Sequence, residues 1–110
     1  SRLEQVIQRQ GERFLRRIYT PRELEDCAGR LPSLAARWAA KEAAAKALGT
    51  GIGPVAFQEI EVRRGPQREP VLHLHGRAAA LAKDLGLQEW ALSLSHTERY
   101  AVAMVVAAGA

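Results

Sequence analysis

The sequence predicts an α+β domain in which a small antiparallel sheet packs on a long central helix. Three features carry that expectation. Residues 3–48 keep helical spacing through three successive segments, 57–75 and 91–107 each hold stretches that alternate with the period of a strand, and one further helix separates them. A chain of 110 residues suits a single domain with one core, read as 1–110.

Taken in order, Leu3, Ile7, Phe14 and Ile18 recur at helical spacing, so 3–18 reads as an amphipathic helix weakened in its middle by Gly11. At about 100° per residue, Arg2, Arg9, Arg13, Arg16 and Arg17 fall within roughly a third of the circumference, away from Phe14 and Ile18. A charge run of this kind is ordinarily a solvated face. Thr20, followed by Pro21 and Glu23, has the capping-box pattern and opens a short helix to about Ala28. Ser33 reads as the N-cap of a long helix through Leu48, rich in alanine on every side and stopped by Gly49. Alanine all round implies close neighbours, which makes the charged residues inside this helix conspicuous.

After the glycine-rich turn Gly49 to Gly53, residues 57–62 alternate, with Ile60 and Val62 on one face and Glu59 and Glu61 on the other. Residues 63–69, which hold Gly65 and Pro66, read as a hairpin turn, and 71–75 as the returning strand. A helix over 76–85 is closed by Gly86. Residues 91–95 and 100–107 form a second pair of strands, joined by the polar turn 96–99.

The net charge of +4, carried mostly by arginine, favours an anionic partner: nucleic acid, a phosphate-bearing ligand or an acidic protein. The longest apolar run, 100–108, is far too short to cross a bilayer, and the amino terminus lacks the apolar region of a signal peptide. No membrane partner and a cytoplasmic location are expected. Cys27 is the single cysteine, has no metal-ligand spacing around it, and reads as a bystander in a reducing compartment.

Chemistry concentrates in residues 37–53, RWAAKEAAAKALGTGIG. Glu42 and Lys46 are four apart, one turn from each other on one helix face. An exposed pair at this spacing is usually a surface ion pair worth a few tenths of a kcal/mol. Here Ala39, Ala43 and Ala45 leave room for a metal and a bulky phosphate against the helix. Arg37 and Lys41 are read as further phosphate-pairing charge, and Gly49, Gly51 and Gly53 let backbone approach a ligand closely. A carboxylate among phosphate-facing cations makes sense as a ligand for Mg²⁺, which takes one or two carboxylates plus phosphate oxygens.

The stretch WAAKEAAAKALGTGIG (38–53) resembles the central signature of the 4′-phosphopantetheinyl transferases of the holo-acyl-carrier-protein synthase type, and FQEIEV (57–62) and SLSHT (93–97) resemble its next two blocks. The resemblance spans nearly the whole chain. It implies that family's fold and the transfer of 4′-phosphopantetheine from coenzyme A, the co-substrate, to a serine of apo acyl carrier protein, leaving adenosine 3′,5′-bisphosphate. Residue by residue, it implies that Glu42 is an Mg²⁺ ligand and that Lys46 faces the coenzyme A phosphates, both acting in catalysis. The serine proton would go to Glu42 directly or to a metal-bound water that Glu42 orients.

By the same resemblance Arg37 and His96, with Thr97 beside it, approach the 3′-phosphate, while Gly49, Gly51, Gly53 and Pro70 line the adenosine end. Arg2, Arg9, Arg13 and Arg17 match basic residues that dock the acidic helix of the carrier protein. The family's members are homotrimers with the coenzyme site between subunits. In that family a short strand ending in glycine-x-aspartate precedes the first helix, and its aspartate is the second carboxylate on the metal. The sequence opens at Ser1, just after the place of that strand, so an N-terminally incomplete domain is expected.

Two other readings compete. A basic nucleic-acid-binding domain accounts for the charge but leaves the Glu42 and Lys46 helix unexplained, and no aromatic-rich strand is present for base stacking, so no nucleic-acid partner is expected. A non-catalytic oligomerisation or docking module of the same fold is the second. His73 and His75, two apart on one strand, read as ordinary strand residues rather than a zinc site.

Overall fold

A computed structural model describes residues 2–96 and 101–109. Helix α1 spans Arg2–Ile18, α2 Pro21–Cys27 and α3 Leu31–Ala47; strands β1 (Ile60–Arg64) and β2 (Pro70–Leu74) precede α4 (Gly76–Asp84), and β3 (Glu89–His96) and β4 (Ala101–Ala108) close the fold. The α+β class is as expected, but the strands form two antiparallel hairpins, β1 with β2 and β3 with β4, instead of one sheet.

Gly11 does more than weaken α1. Its φ of 61° and ψ of −143° lie outside helical values, so α1 is two helical runs joined at a kink. Arg2 and Arg9 therefore precede the break while Arg13, Arg16 and Arg17 follow it, and the single stripe expected from unbroken periodicity does not run the length of the helix.

The capping box forms as expected: the Thr20 hydroxyl accepts from the Glu23 amide, and the Glu23 carboxylate accepts from the Thr20 amide. α3 starts two residues earlier than Ser33. Ala28 and Gly29, with φ of 49° and 74°, turn the chain sharply after α2. Pro32 then sits in the first turn of α3, where a missing N–H costs nothing. Arg30 is the N-cap and makes no side-chain cap bond, and the Ser33 carbonyl instead accepts from Arg37 at 3.5 Å.

Residues 57–59 form a 3₁₀ turn, where a strand was expected. The turn redirects Glu59: its carboxylate accepts from the Ala56 amide at 2.7 Å and from the Arg77 amide in the first turn of α4. A side chain at Gly76 would run into that carboxylate, which lies 2.2 Å from the position of a Cβ. Glu61 is also not solvent-facing. Ile60, Glu61 and Val62 are all buried, because both α3 and α2 pack against β1.

Two apolar clusters hold the elements together. One joins the C-terminal half of α3 (Ala44, Ala45, Leu48) to Val55, Ile60 and α4 (Ala78, Ala82). The other joins Ile18, Tyr19, Cys27 and Leu34 around the start of α3, flanked by Trp38, whose ring stacks on Phe57 at 4.9 Å between centroids. Tyr19 is fully buried and donates its hydroxyl to the Leu34 carbonyl at 2.7 Å, so burial leaves no polar atom unmet while pushing the phenol's pKa above its usual value.

Candidate active site

The site residues sort by which face of α3 they occupy. Glu42 and Lys46 are both exposed, one turn apart, and among the described residues no ion pair joins them. The helix runs directly into the glycine turn. The Gly49 amide donates to the Lys46 carbonyl at 2.9 Å, and the amides of Thr50 and Gly51 to the Ala45 carbonyl at 3.2 Å each. Gly49, Gly51 and Gly53 have φ of 80°, 67° and 137°, backbone that side chains strain against, and a Cβ at any of them would meet open space. An exposed carboxylate, an exposed ammonium and a bare, open turn thus follow one another along one edge of the protein.

Arg37 lies elsewhere. Five residues from Glu42 it is rotated by about 140° about the helix axis, and it is buried, with its Nε donating to the Val62 carbonyl at 3.3 Å and Asp26 at 3.8 Å from its guanidinium. It lines a cleft of about 340 Å³ with Ser33, Arg64, Arg68, Pro70 and Ser93. The cleft brings together two residues expected to bind the coenzyme, Arg37 and Pro70, and adds two arginines that sequence reading passed over. Arg64 and Arg68 belong to the stretch RRGPQRE, which reads as a turn; three arginines beside Pro70 were the available signal. Three guanidinium groups around one opening suit a phosphate-bearing ligand.

His96 ends β3, two residues past Leu94 of the same cleft, and pairs with Ala101. Its side chain and that of Arg2 lie outside the described residues, as does Thr97. Arg9, Arg13 and Arg17 are exposed on α1.

Lys41 corrects the sequence reading. It is fully buried, with every donor used inside the protein: its ammonium donates to Glu23 at 2.7 Å and to the carbonyls of Phe57 at 3.0 Å and Ile60 at 2.6 Å, and lies over the Tyr19 ring. Burial holds its pKa below the ordinary lysine value, and Glu23 opposes that shift. Glu23 accepts in addition from the amides of Thr20 at 3.0 Å and Val62 at 2.9 Å. Beside it the Glu61 carboxylate accepts from the Thr20 hydroxyl and lies 3.0 Å from His75 Nε2. Burial alone would raise the Glu61 carboxyl; the hydrogen bonds to Thr20 and His75, together with the nearby charges of His75 and Arg63, outweigh it and hold it below the usual carboxylate range.

Among the described residues no three metal-ligating side chains cluster. What is present is the single carboxylate of Glu42, exposed and not bound to Lys46. That donor set fits a hard cation which takes most of its oxygens from phosphate and water.

A model of the 4′-phosphopantetheinyl transferase superfamily matches residues 1–105. The chain belongs to that superfamily. Within it, the chain is 48% identical to the holo-[acyl-carrier-protein] synthase of Herpetosiphon aurantiacus over 99% of its own length and 91% of the relative's. It is 51% identical to that of Koribacter versatilis, over 96% and 87%. Among solved structures it superimposes on the Helicobacter pylori holo-[acyl-carrier-protein] synthase in complex with coenzyme A with a TM-score of 0.88, at 31% identity, covering 97% of this chain and 91% of that one. The phosphopantetheinyl transferase fold therefore sets the frame in which the two faces of α3 are to be understood.

Proposed function

We propose that the protein is a holo-[acyl-carrier-protein] synthase that moves 4′-phosphopantetheine from coenzyme A to a serine of apo acyl carrier protein. The observation that carries this reading is the exposed Glu42 and Lys46 pair leading into the open glycine turn, in a chain about half identical to synthases of that name.

Glu42 would hold Mg²⁺ against the pyrophosphate of coenzyme A. When bound there, that ion neutralises phosphate charge and orients the phosphorus for attack. Lys46, one turn along, stabilises the charge that builds on departing adenosine 3′,5′-bisphosphate, a contribution worth a few kcal/mol of the barrier for a positioned cation. Glu42 also orients the water that takes the serine proton. Arg37, Arg64 and Arg68 bind phosphate in the cleft by Pro70, with His96 at the end of β3 and Thr97 as further contacts. The exposed arginines 9, 13 and 17, with Arg2, dock the acidic carrier protein.

Glu42 and Arg37 lie about 140° apart on one helix, an arrangement that favours a coenzyme molecule held between two copies of the chain. A homotrimer with the site between subunits has that arrangement. The outer face of the β3–β4 hairpin supports it, since Met104 and Val106 are 65% and 55% exposed there, apolar surface that a second copy would cover. Among the described residues no helix is long and apolar enough to cross a membrane, and the reading assigns the reaction to the cytoplasm. The test is transfer to apo carrier protein, followed by mass. Glu42→Gln and Lys46→Ala are each expected to lower turnover at least about 100-fold; near wild-type turnover in both would refute the assignment.

A further inference from the structure

We propose that Lys41 and Glu23 are positioning residues for the transfer reaction: their buried ion pair fixes the rotation of α3 about its own axis and so aims Glu42 at the ligand. The inference rests on Glu42 being the metal-holding residue of the proposed function.

The need for such a key follows from the composition of α3. Ala35, Ala36, Ala39, Ala40, Ala43, Ala44, Ala45 and Ala47 place methyl groups on nearly every side of the helix. Of these, Ala36, Ala40, Ala44 and Ala45 are buried, Ala47 is exposed and the others lie between. Beyond the contacts of Leu34, Arg37 and Trp38 nearer its start, such smooth faces pack closely but do not favour one rotation strongly over another in the half that carries Glu42. Neighbouring residues on a helix are about 100° apart, so whatever fixes Lys41 also fixes Glu42. A turn of about 20° would move a side-chain tip 5–6 Å from the axis by about 2 Å. Misplacement by 1 Å is already enough to cost a reaction about 100-fold.

The buried pair has the geometry of a key. All three ammonium protons of Lys41 are placed, on Glu23 and on the carbonyls of Phe57 and Ile60. Glu23 is held in turn by the amides of Thr20 at the start of α2 and Val62 in β1. The pair therefore ties α3 to α2, to the 3₁₀ turn and to β1 at one point. Stability alone does not call for it, because replacing a buried ion pair by apolar side chains of similar size is often neutral or stabilising; setting one arrangement among several is the better-attested use of such pairs.

The test uses the full chain with Glu23→Gln and Lys41→Met combined, so that neither charge is left buried alone. Glu23→Gln with Lys41→Gln, which keeps a donor toward the two carbonyls, takes its place if the first does not fold. Mn²⁺ binding in the presence of coenzyme A is read by electron paramagnetic resonance beside steady-state transfer. The expected result is a melting temperature within about 5 °C of wild type, kcat lowered about 10- to 100-fold, KM for coenzyme A changed less than about 3-fold, and Mn²⁺ affinity weakened about 10-fold. A folded variant that keeps either wild-type kcat or wild-type Mn²⁺ affinity overturns the proposal. Failure of the wild-type chain itself to transfer pantetheine would instead overturn the functional reading on which it rests.

Discussion

Both faces of α3 carry charged side chains, buried on one and exposed on the other. On the inner face Lys41 is buried with its ammonium bonded to Glu23 and two carbonyls, and Arg37 is buried beside the cleft it lines; on the outer face Glu42 and Lys46, one turn apart, are exposed and not bonded to each other. A Lys and a Glu four residues or fewer apart say nothing about function by themselves. Burial separates Lys41, held inside the fold, from the exposed Lys46, and a rotation of about 100° is all that distinguishes Lys41 from Glu42.

That contrast breaks most visibly when one inner charge is removed. Lys41→Met alone leaves the Glu23 carboxylate buried without its cation and should destabilise the fold by about 3–5 kcal/mol in urea unfolding, the cost typical of an uncompensated buried charge. A loss under about 1 kcal/mol would mean that water reaches Glu23. The outer residues should behave in the opposite way, with Glu42→Gln and Lys46→Ala lowering activity and leaving the unfolding midpoint nearly unchanged.

A smaller effect sharpens the contrast by pH. Glu61 has a folded pKa below its unfolded one, so its contribution to stability is full above the unfolded value of about 4.3 and is lost as pH falls through the folded value. Melting temperature should therefore drop as pH is lowered from 5 toward about 3, and Glu61→Gln should make that slope shallower. An unchanged slope would remove Glu61 from the acid sensitivity of the fold.

Much of this was legible in the sequence, and what was not has identifiable physical reasons. The capping box at Thr20 and Glu23, the stop at Gly49, and both hairpins follow from local chemistry and period, which need no knowledge of neighbours. The Glu42 and Lys46 pair was legible for the same reason, since a spacing of four on a helix is a local fact. Lys41 was misread because an alanine-rich helix has no apolar stripe to say which side is inside, and its partner lies 18 residues earlier on another helix. Glu59 was misread as a strand residue because its task is set at a distance, at the first turn of α4. Arg64 and Arg68 were hidden in a stretch whose glycine and proline read only as a turn, although both line one cleft with Pro70 and with Arg37 of α3.

The central claim is that the outer face of α3 in one copy and the cleft beside its inner face in another make one site. Mixing an inactive Glu42→Gln protein with an inactive Arg37→Gln protein, after dissociation and reassembly, measures this directly. In the proposed homotrimer, random mixing pairs an intact Glu42 with an intact Arg37 in about a quarter of the sites, so transfer to apo carrier protein should return to about a quarter of the wild-type rate. Mixed trimers that form and remain inactive would contradict the account.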